Sequence, residues 1–350
     1  MIRRGRAGGE RPPHGMVVAA GGPGQIDPLV PRMTIEITSS KSSAAARRDP
    51  AAWRLATVPA GDDLAAARAF CREIAARHYE NFTVATRLVP PRLRQHLANV
   101  YAFARWADDL ADEAASASAA TAALAAWQGE LEACFAGRPR HPICVALADT
   151  VRVTGLEIEP FADLIDAFRQ DQVTTRYADR EQLLDYCRRS ANPVGRIVLA
   201  LEGGRDPRLL AMSDAICTGL QLVNFWQDIA RDRRAGRVYL PAADMRRHGV
   251  VEADLDAARA SPALRALVCD EVAWARECFD RGAPLAAAAP RVLRPAITMF
   301  LGGGRAVAWA IARADGDTLA RRPTVGRAAK FALAARAAWQ AAILRCGSEP

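Results

Sequence analysis

An all-α fold is predicted from three observations. From Asp62 onward, long stretches rich in Ala, Leu and Arg alternate with short breaks at Pro or Gly. Runs of alternating β-branched residues are nearly absent, and no segment recurs at a fixed period, which argues against a solenoid. The first helix is predicted over 62–78, and the second, over 90–114, opens at Pro90. Helices over 119–136 and 142–153 follow, the latter opening at Pro142 and stopping before Gly155. Spans 159–175, 179–189 and 193–202 come next, then a long helix over 208–231 behind Pro207. Short helices over 241–247 and 252–257 lead to a long one over 261–287. The run Gly302-Gly-Gly304 is read as a helix break between 290–300 and 304–314, and a last helix covers 324–345.

The chain has 350 residues, 51% of them apolar, enough for a sizeable core. Residues 1–54 are rich in Gly, Pro, Ser and Arg without periodicity and read as a flexible basic tail, leaving 55–350 as a single helical domain. Of the net charge of +8, that tail carries a surplus of five, with nine basic and four acidic side chains. Lysine occurs only at Lys41 and Lys330, so the excess is almost all arginine, and no nucleic-acid partner is expected. Eight cysteines without a C-x-x-C pair argue against a zinc knuckle and for reduced, buried thiols. Met16–Ala20 is too short for the apolar region of a signal peptide, so a cytoplasmic location is expected. The most apolar stretches, 295–301 and 306–312, are split by Gly302–Arg305, and no membrane-spanning segment is read.

Two segments carry carboxylates in an unusual pattern. In Tyr101–Asp112, at about 100° per residue, Asp108 and Asp112 stand about 40° apart with Arg105 on the same side. A solvated acidic face with an Arg-to-Asp pair is the competing reading. In Thr218–Asp232, the residues Gln221, Asn224, Asp228 and Asp232 fall within an arc of about 80° on one straight helix. The remaining positions of that helix, among them Leu220, Val223, Phe225, Trp226 and Ile229, are apolar around most of the circumference, as in a helix buried nearly all round. Unpaired carboxylates there would be very costly, so they call for a cation or a water-filled cleft.

Oxygen ligands alone suit a hard cation, and Mg²⁺ typically combines a few carboxylates with substrate phosphate oxygens. Two such stripes facing each other across a bundle interior therefore point to a diphosphate substrate. The chemistry would be ionisation of a C–O bond with electrostatic help to the leaving group, without a protein nucleophile.

These residues resemble the squalene and phytoene synthases, along 78–330. The likeness lies in Asn81-Phe-Thr-Val-Ala-Thr, Arg105-Trp-Ala-Asp-Asp-Leu-Ala-Asp112, Tyr186-Cys-Arg-Arg-Ser-Ala-Asn-Pro-Val-Gly195, Gln221-Leu-Val-Asn-Phe-Trp-Gln-Asp-Ile-Ala-Arg-Asp232 and Gly236-Arg-Val-Tyr-Leu-Pro241. The resemblance implies an isoprenoid-synthase-like helical bundle with a central cavity between two Asp-rich helices. It implies two or three Mg²⁺ ions held by Asp108 and Asp112 on one side and by Asn224, Asp228 and Asp232 on the other, together with the substrate diphosphate. Arg105, Gln221, Arg237 and Tyr239 match positions that contact the diphosphate or line the cavity near it, and His78 matches a polar position near the substrate. Tyr186 matches a tyrosine beside the reacting carbons, suited to proton handling or cation stabilisation; an ordinary core role is its alternative.

Within that family, Ala191-Asn192-Pro193, Glu80-Asn81-Phe82 and Phe225-Trp226-Gln227 depart from the common patterns and resemble the bacterial hydroxysqualene synthases of hopanoid biosynthesis. The resemblance implies presqualene diphosphate as substrate, hydroxysqualene as product and no nicotinamide cofactor. Quenching a carbocation with water needs a polar group that positions one water molecule, a role suited to Asn192 or Asn81. The alternatives are head-to-head transfer giving presqualene diphosphate, squalene or phytoene, and a non-catalytic subunit or carrier binding prenyl lipids. Contacts with neighbouring hopanoid-pathway enzymes or peripherally with a membrane fit either reading. His248 sits where a histidine favours a helix C-terminus, and the last helix, with Phe331, Trp339, Lys330 and Arg336, is read as core packing by default and as membrane contact by alternative.

Overall fold

A computed structural model describes residues 64–78 and 88–346. Among them every regular element is helical. The tail expected over 1–54 and the motif at Asn81 lie outside the described residues. Helix α1 (Leu64–His78) precedes α2 (Pro91–Asp112), which starts on a proline whose missing N–H costs the first turn nothing. Helix α3 (Ala117–Phe135) is capped by Ser116, whose side chain accepts from the amide of Ala119 at 3.2 Å. Helix α4 (Pro142–Thr154) ends at Gly155, where φ is +66°. Helices α5 (Glu159–Gln170), α6 (Arg180–Ser190) and α7 (Asn192–Ala200) follow, α6 capped by Asp179. Helix α8 (Pro207–Gln227) is capped by Asp206 and α9 (Ile229–Arg234) follows at once. The remaining helices are α10 (Ala242–Arg247), α11 (Pro262–Gly282), α12 (Leu285–Ala288), α13 (Arg294–Arg313) and α14 (Arg327–Cys346).

Several boundaries differ from expectation. The single helix expected over 208–231 breaks at Asp228, whose φ of −107° and ψ of 14° leave the helical region. Two side-chain anchors meet the chain there: Arg322 grips the Asp228 carboxylate, and the Gln227 amide donates to the carbonyl of Pro323. The segment 252–257 forms a 3₁₀ turn over Glu252–Asp256, and 261–287 divides into α11 and α12. Gly302–Gly304, expected to interrupt a helix, lies inside the continuous α13. Packing explains the glycines: a Cβ on Gly304 would stand 2.4 Å from Cζ of Phe279, and one on Gly302 would stand 2.6 Å from Cδ2 of Leu333. Gly219 of α8 faces the same ring, so α8 and α13 both close on the Phe279 ring that α11 carries.

One contiguous core joins the helices. Helix α2 packs on α1, α3, α4 and α5, while α8 makes its largest contact with α11 and further ones with α7 and α13. The region Arg291–Arg313 is long and apolar enough to cross a membrane by length and composition, but 56% of that window is buried inside the fold, as in the core helix of a bundle. The seven cysteines from Cys71 to Cys278 are free thiols. Arg180 of α6 ties α10 to α11 by pairing with Asp244 at 3.0 Å and with Glu271 at 3.2 Å.

Two outcomes follow from this packing. The Phe279 ring is enclosed and cannot yield, so Gly304→Leu should lower stability by about 1–3 kcal/mol, visible as a fall of several degrees in Tm. Glu271 is fully buried, and burial pushes its carboxyl up from 4.5 to about 8 despite the Arg180 guanidinium beside it. Between those values the folded chain keeps a proton that the unfolded chain has released, so this group's contribution to stability falls as pH rises from 4.5 to about 8. Glu271→Gln should flatten that fall in denaturation curves recorded across the window.

Candidate active site

The first carboxylate stripe faces inward. On α2, Asp108 is 1% exposed and Arg105 is also buried, which excludes the solvated-face reading. An Nη of Arg105 stands 3.3 Å from the Asp108 carboxylate, and its other Nη pairs with Asp109 one turn on. Burial disfavours the Arg105 charge, but Asp108 and Asp109 outweigh it and hold its pKa above the ordinary value. Asp112 follows one turn after Asp108, at the end of the same helix. A guanidinium and carboxylates thus enter the apolar bundle as a compensated group.

The second stripe lies on α8 and the break after it. Gln221 is buried, Asn224 is half-buried one turn later, and Asp228 occupies the break itself. Arg322, from the segment between α13 and α14, grips Asp228 with both arms of its guanidinium, at 2.6 and 3.0 Å. Asp232 belongs to α9, its amide still donating to the Asp228 carbonyl at 2.8 Å across the break. It shares a small recess with Arg237, Tyr239 and Phe225. The turn that brings them together uses Gly236 at φ +77° and a hydrogen bond from the Arg237 amide to the Asp232 carbonyl at 2.8 Å.

Aromatic rings line this second half. Tyr239 stacks on Phe225 with centroids 3.9 Å apart, and Tyr177, Tyr186 and Tyr239 lie within 6.1 Å of one another. Tyr186 is buried, and its hydroxyl donates to the Asp171 carboxylate at 2.8 Å. Asn192, the first residue of α7, is buried and accepts from the Thr218 hydroxyl of α8 at 3.0 Å. The two helices approach closely there, since a Cβ on Gly195 would meet Ser213 Oγ at 2.3 Å.

The expected residues therefore fall into two sets. Arg105, Asp108 and Asp112 stand together on α2; Gln221, Asn224 and Asp228 stand along α8, with Asp232, Arg237 and Tyr239 beside its end. Neither helix is a main packing neighbour of the other. Among the described residues no three His, Cys, Asp or Glu side chains converge closely enough to form a metal cluster by themselves. His78 is the last residue of α1, and Asn81 lies outside the described residues. His248 pairs with Asp270 at 2.9 Å, a surface contact away from these residues. Sequence reasoning missed Arg322, Asp171 and Thr218, each of which meets its partner across tertiary structure. Only the position of Arg322 at a Pro break, in Arg321-Arg322-Pro323, marked it at all.

The residues present fit Mg²⁺ with an anion. All the donors are oxygens, and the carboxylates at Asp108 and Asp228 already draw guanidinium groups into their vicinity. Among the described residues, the buried Oε1 of Gln221 and the buried Nη1 of Arg237 have no hydrogen-bond partner, leaving an acceptor and a cationic donor near the second stripe.

Known proteins give the family of this all-helical chain. The family profile described as squalene/phytoene synthase matches residues 75–329. The fold is shared with the crystal structure of squalene synthase HpnC from Alicyclobacillus acidocaldarius, at 42% identity and a TM-score of 0.70, covering 72% of this chain and 95% of that one. It is shared also with a ligand-bound dehydrosqualene synthase, at 24% identity and a TM-score of 0.72, covering 79% and 97% of the two chains. Phytoene synthase 3 of Zea mays is 31% identical over 76% of this chain, which spans 64% of the length of that relative. The chain belongs to the squalene/phytoene synthase family.

The Arg322 contact gives a direct check. Arg322→Ala leaves the Asp228 carboxylate, largely shielded from water, without its cation, and should destabilise the metal-free protein by about 1–3 kcal/mol. Mg²⁺ with inorganic diphosphate should recover most of the lost Tm, because a ligand bound only to the folded state stabilises it. A double variant, Asp228→Asn with Arg322→Ala, should show no such recovery.

Proposed function

We propose that the protein converts presqualene diphosphate and water to hydroxysqualene and diphosphate. The observation that carries this reading is the pairing of two inward-facing carboxylate stripes with an unpartnered Gln221 acceptor and Arg237 donor, within a family whose members act on prenyl diphosphates. When bound, Mg²⁺ would be held by Asp108 and Asp112 on one side and by Asn224, Asp228 and Asp232 on the other, and would neutralise the leaving diphosphate. Arg237, Arg105 and Gln221 bind the substrate near its diphosphate, with Tyr239 and His78 lining the cavity around it. The C–O bond to the diphosphate breaks with its electron pair, leaving a carbocation that the faces of Tyr186, Tyr239 and Phe225 stabilise. The Tyr186 hydroxyl, which donates to Asp171, can take a proton from the incoming water while passing its own to the Asp171 carboxylate.

Thr218 fixes the carbonyl of Asn192, so the NH₂ of that side chain is the group we assign to holding the quenching water, with Asn81 as the second candidate. No nicotinamide is required, because the cation is quenched by water and not by hydride. The 42% identity to HpnC supports the squalene-length substrate. The relatives that are phytoene synthases favour a second reading, head-to-head transfer between two prenyl diphosphates. A non-catalytic prenyl-lipid carrier would not need the carboxylates and amide that are all present here. We place the enzyme in the cytoplasm, peripheral to the membrane, passing its product to neighbouring hopanoid-pathway enzymes.

The test is to incubate the protein and Mg²⁺ with presqualene, farnesyl or geranylgeranyl diphosphate, without nicotinamide, and to identify products by mass spectrometry. Hydroxysqualene from presqualene diphosphate alone is expected. Turnover of farnesyl or geranylgeranyl diphosphate would move the protein to the condensing reactions, and no turnover of any substrate would favour the carrier. Asn192→Ala should divert product away from the alcohol; an unchanged product spectrum would sink the role given to Asn192.

A further inference from the structure

Helix α14 turns its two aromatic side chains, Phe331 and Trp339, away from the bundle, contrary to the core packing expected of them. Leu333, Ala337 and Ala341 face the bundle, Leu333 against Gly302 and Ala337 in a small cluster with Met299. Phe331 and Trp339 are 77% and 69% exposed, and at about 100° per residue they lie within about 80° of one another. The alanines at 332 and 335 lie on the same exposed face. Neighbouring α13 presents Arg305, Trp309 and Arg313 at successive turns, all exposed, with Trp309 57% exposed and the Arg313 guanidinium 4.8 Å over its ring. The three exposed large aromatics among the described residues all belong to this helix pair, whereas the exposed large aliphatics are scattered singly over other elements.

The charge along α14 has one sign, while on α13 Arg305 is paired with the exposed Asp280 of α11. Between Asp317 and Glu349 the sequence holds six basic residues and no acidic one, and one of the six, Arg322, is taken up by the carboxylate of Asp228. Exposed tryptophan and phenylalanine rimmed by arginine and lysine match the boundary between lipid headgroups and acyl chains. There the rings enter the apolar layer while the long basic side chains reach back to phosphate.

We infer that the outer face of α13 and α14 docks on the headgroup layer of an anionic lipid bilayer. Charge decides between the occupants. The residues 1–54 carry a basic surplus of five, and a second copy related by two-fold symmetry would set basic α14 against basic α14. Both of those covers meet like charge, and an anionic bilayer does not. Arg322 and Pro323, which anchor the chain at the end of α8, stand just before α14 begins at Arg327, so the docking face is tethered to the stripe that contains Asp228. This surface is distinct from the site that takes the diphosphate and is independent of which prenyl substrate is turned over.

The test is sedimentation of the full chain, without substrate, with vesicles of phosphatidylcholine containing about 30% phosphatidylglycerol, and with phosphatidylcholine alone. The wild type should partition to the anionic vesicles, and the double variant Phe331→Ser, Trp339→Ser should partition about tenfold more weakly at unchanged Tm. Brominated lipid should quench tryptophan emission of the wild type, and Trp339→Phe should lose a large part of that quenching while still partitioning. Equal partitioning of the double variant and the wild type would overturn the inference in favour of attraction by the basic N-terminal residues. Absence of binding would overturn it too, as would a dimer in size-exclusion chromatography that the double variant dissolves.

Discussion

An ionised carboxylate inside an apolar helical bundle needs a cation or hydrogen-bond donors to offset its burial, and at the candidate site arginines meet that need on both helices. On α2 the cation is Arg105, one turn from the side chains it compensates, so the helix can carry Asp108 inward without interruption. On α8 no local arginine serves Asp228, and the compensating guanidinium arrives from the far end of the chain. The helix breaks at the residue that receives it. The break releases Asp232 into a new helix and sets it beside Arg237, Tyr239 and Phe225. The second half of the candidate site is thus tied to the far end of the chain by one long-range ion pair.

Close helix packing supports this arrangement. Gly219 and Gly304 let α8 and α13 approach the Phe279 ring on α11, while Gly195 lets α7 rest on α8 near Cys217 and Ser213. The second contact matters for chemistry, because it places Asn192 and Thr218 within one hydrogen bond of each other. With Tyr186 fixed by Asp171, the aromatic wall and the amide are held in place by groups that sequence spacing does not connect.

What could be read from the sequence was what is local. Pro and Gly punctuation placed most helices, and the spacing of Asp108 and Asp112 correctly put them on one face of α2. The errors have tertiary causes. Gly302–Gly304 looked like a break because glycine is a poor helix former, yet neighbouring side chains need the space that a Cβ would fill. The change of helix at Asp228 was not legible in the spacing, and the partner of that carboxylate, Arg322, lies 94 residues beyond it. Asp171 and Thr218 went unnoticed for the same reason: each acts on a partner carried by a different helix.

The central claim is that the arginine-compensated carboxylates of α2 and α8 form the two sides of one cation and diphosphate site. A crystal of the protein grown with Mn²⁺ and inorganic diphosphate tests it most directly, through anomalous scattering from the metal. The account predicts peaks within coordination distance of Asp108 or Asp112 and of Asp228 or Asp232, with the diphosphate bridging them and the Arg322 guanidinium released from full engagement with Asp228. Metal bound away from both stripes, with the Asp228–Arg322 pair unchanged, would contradict it.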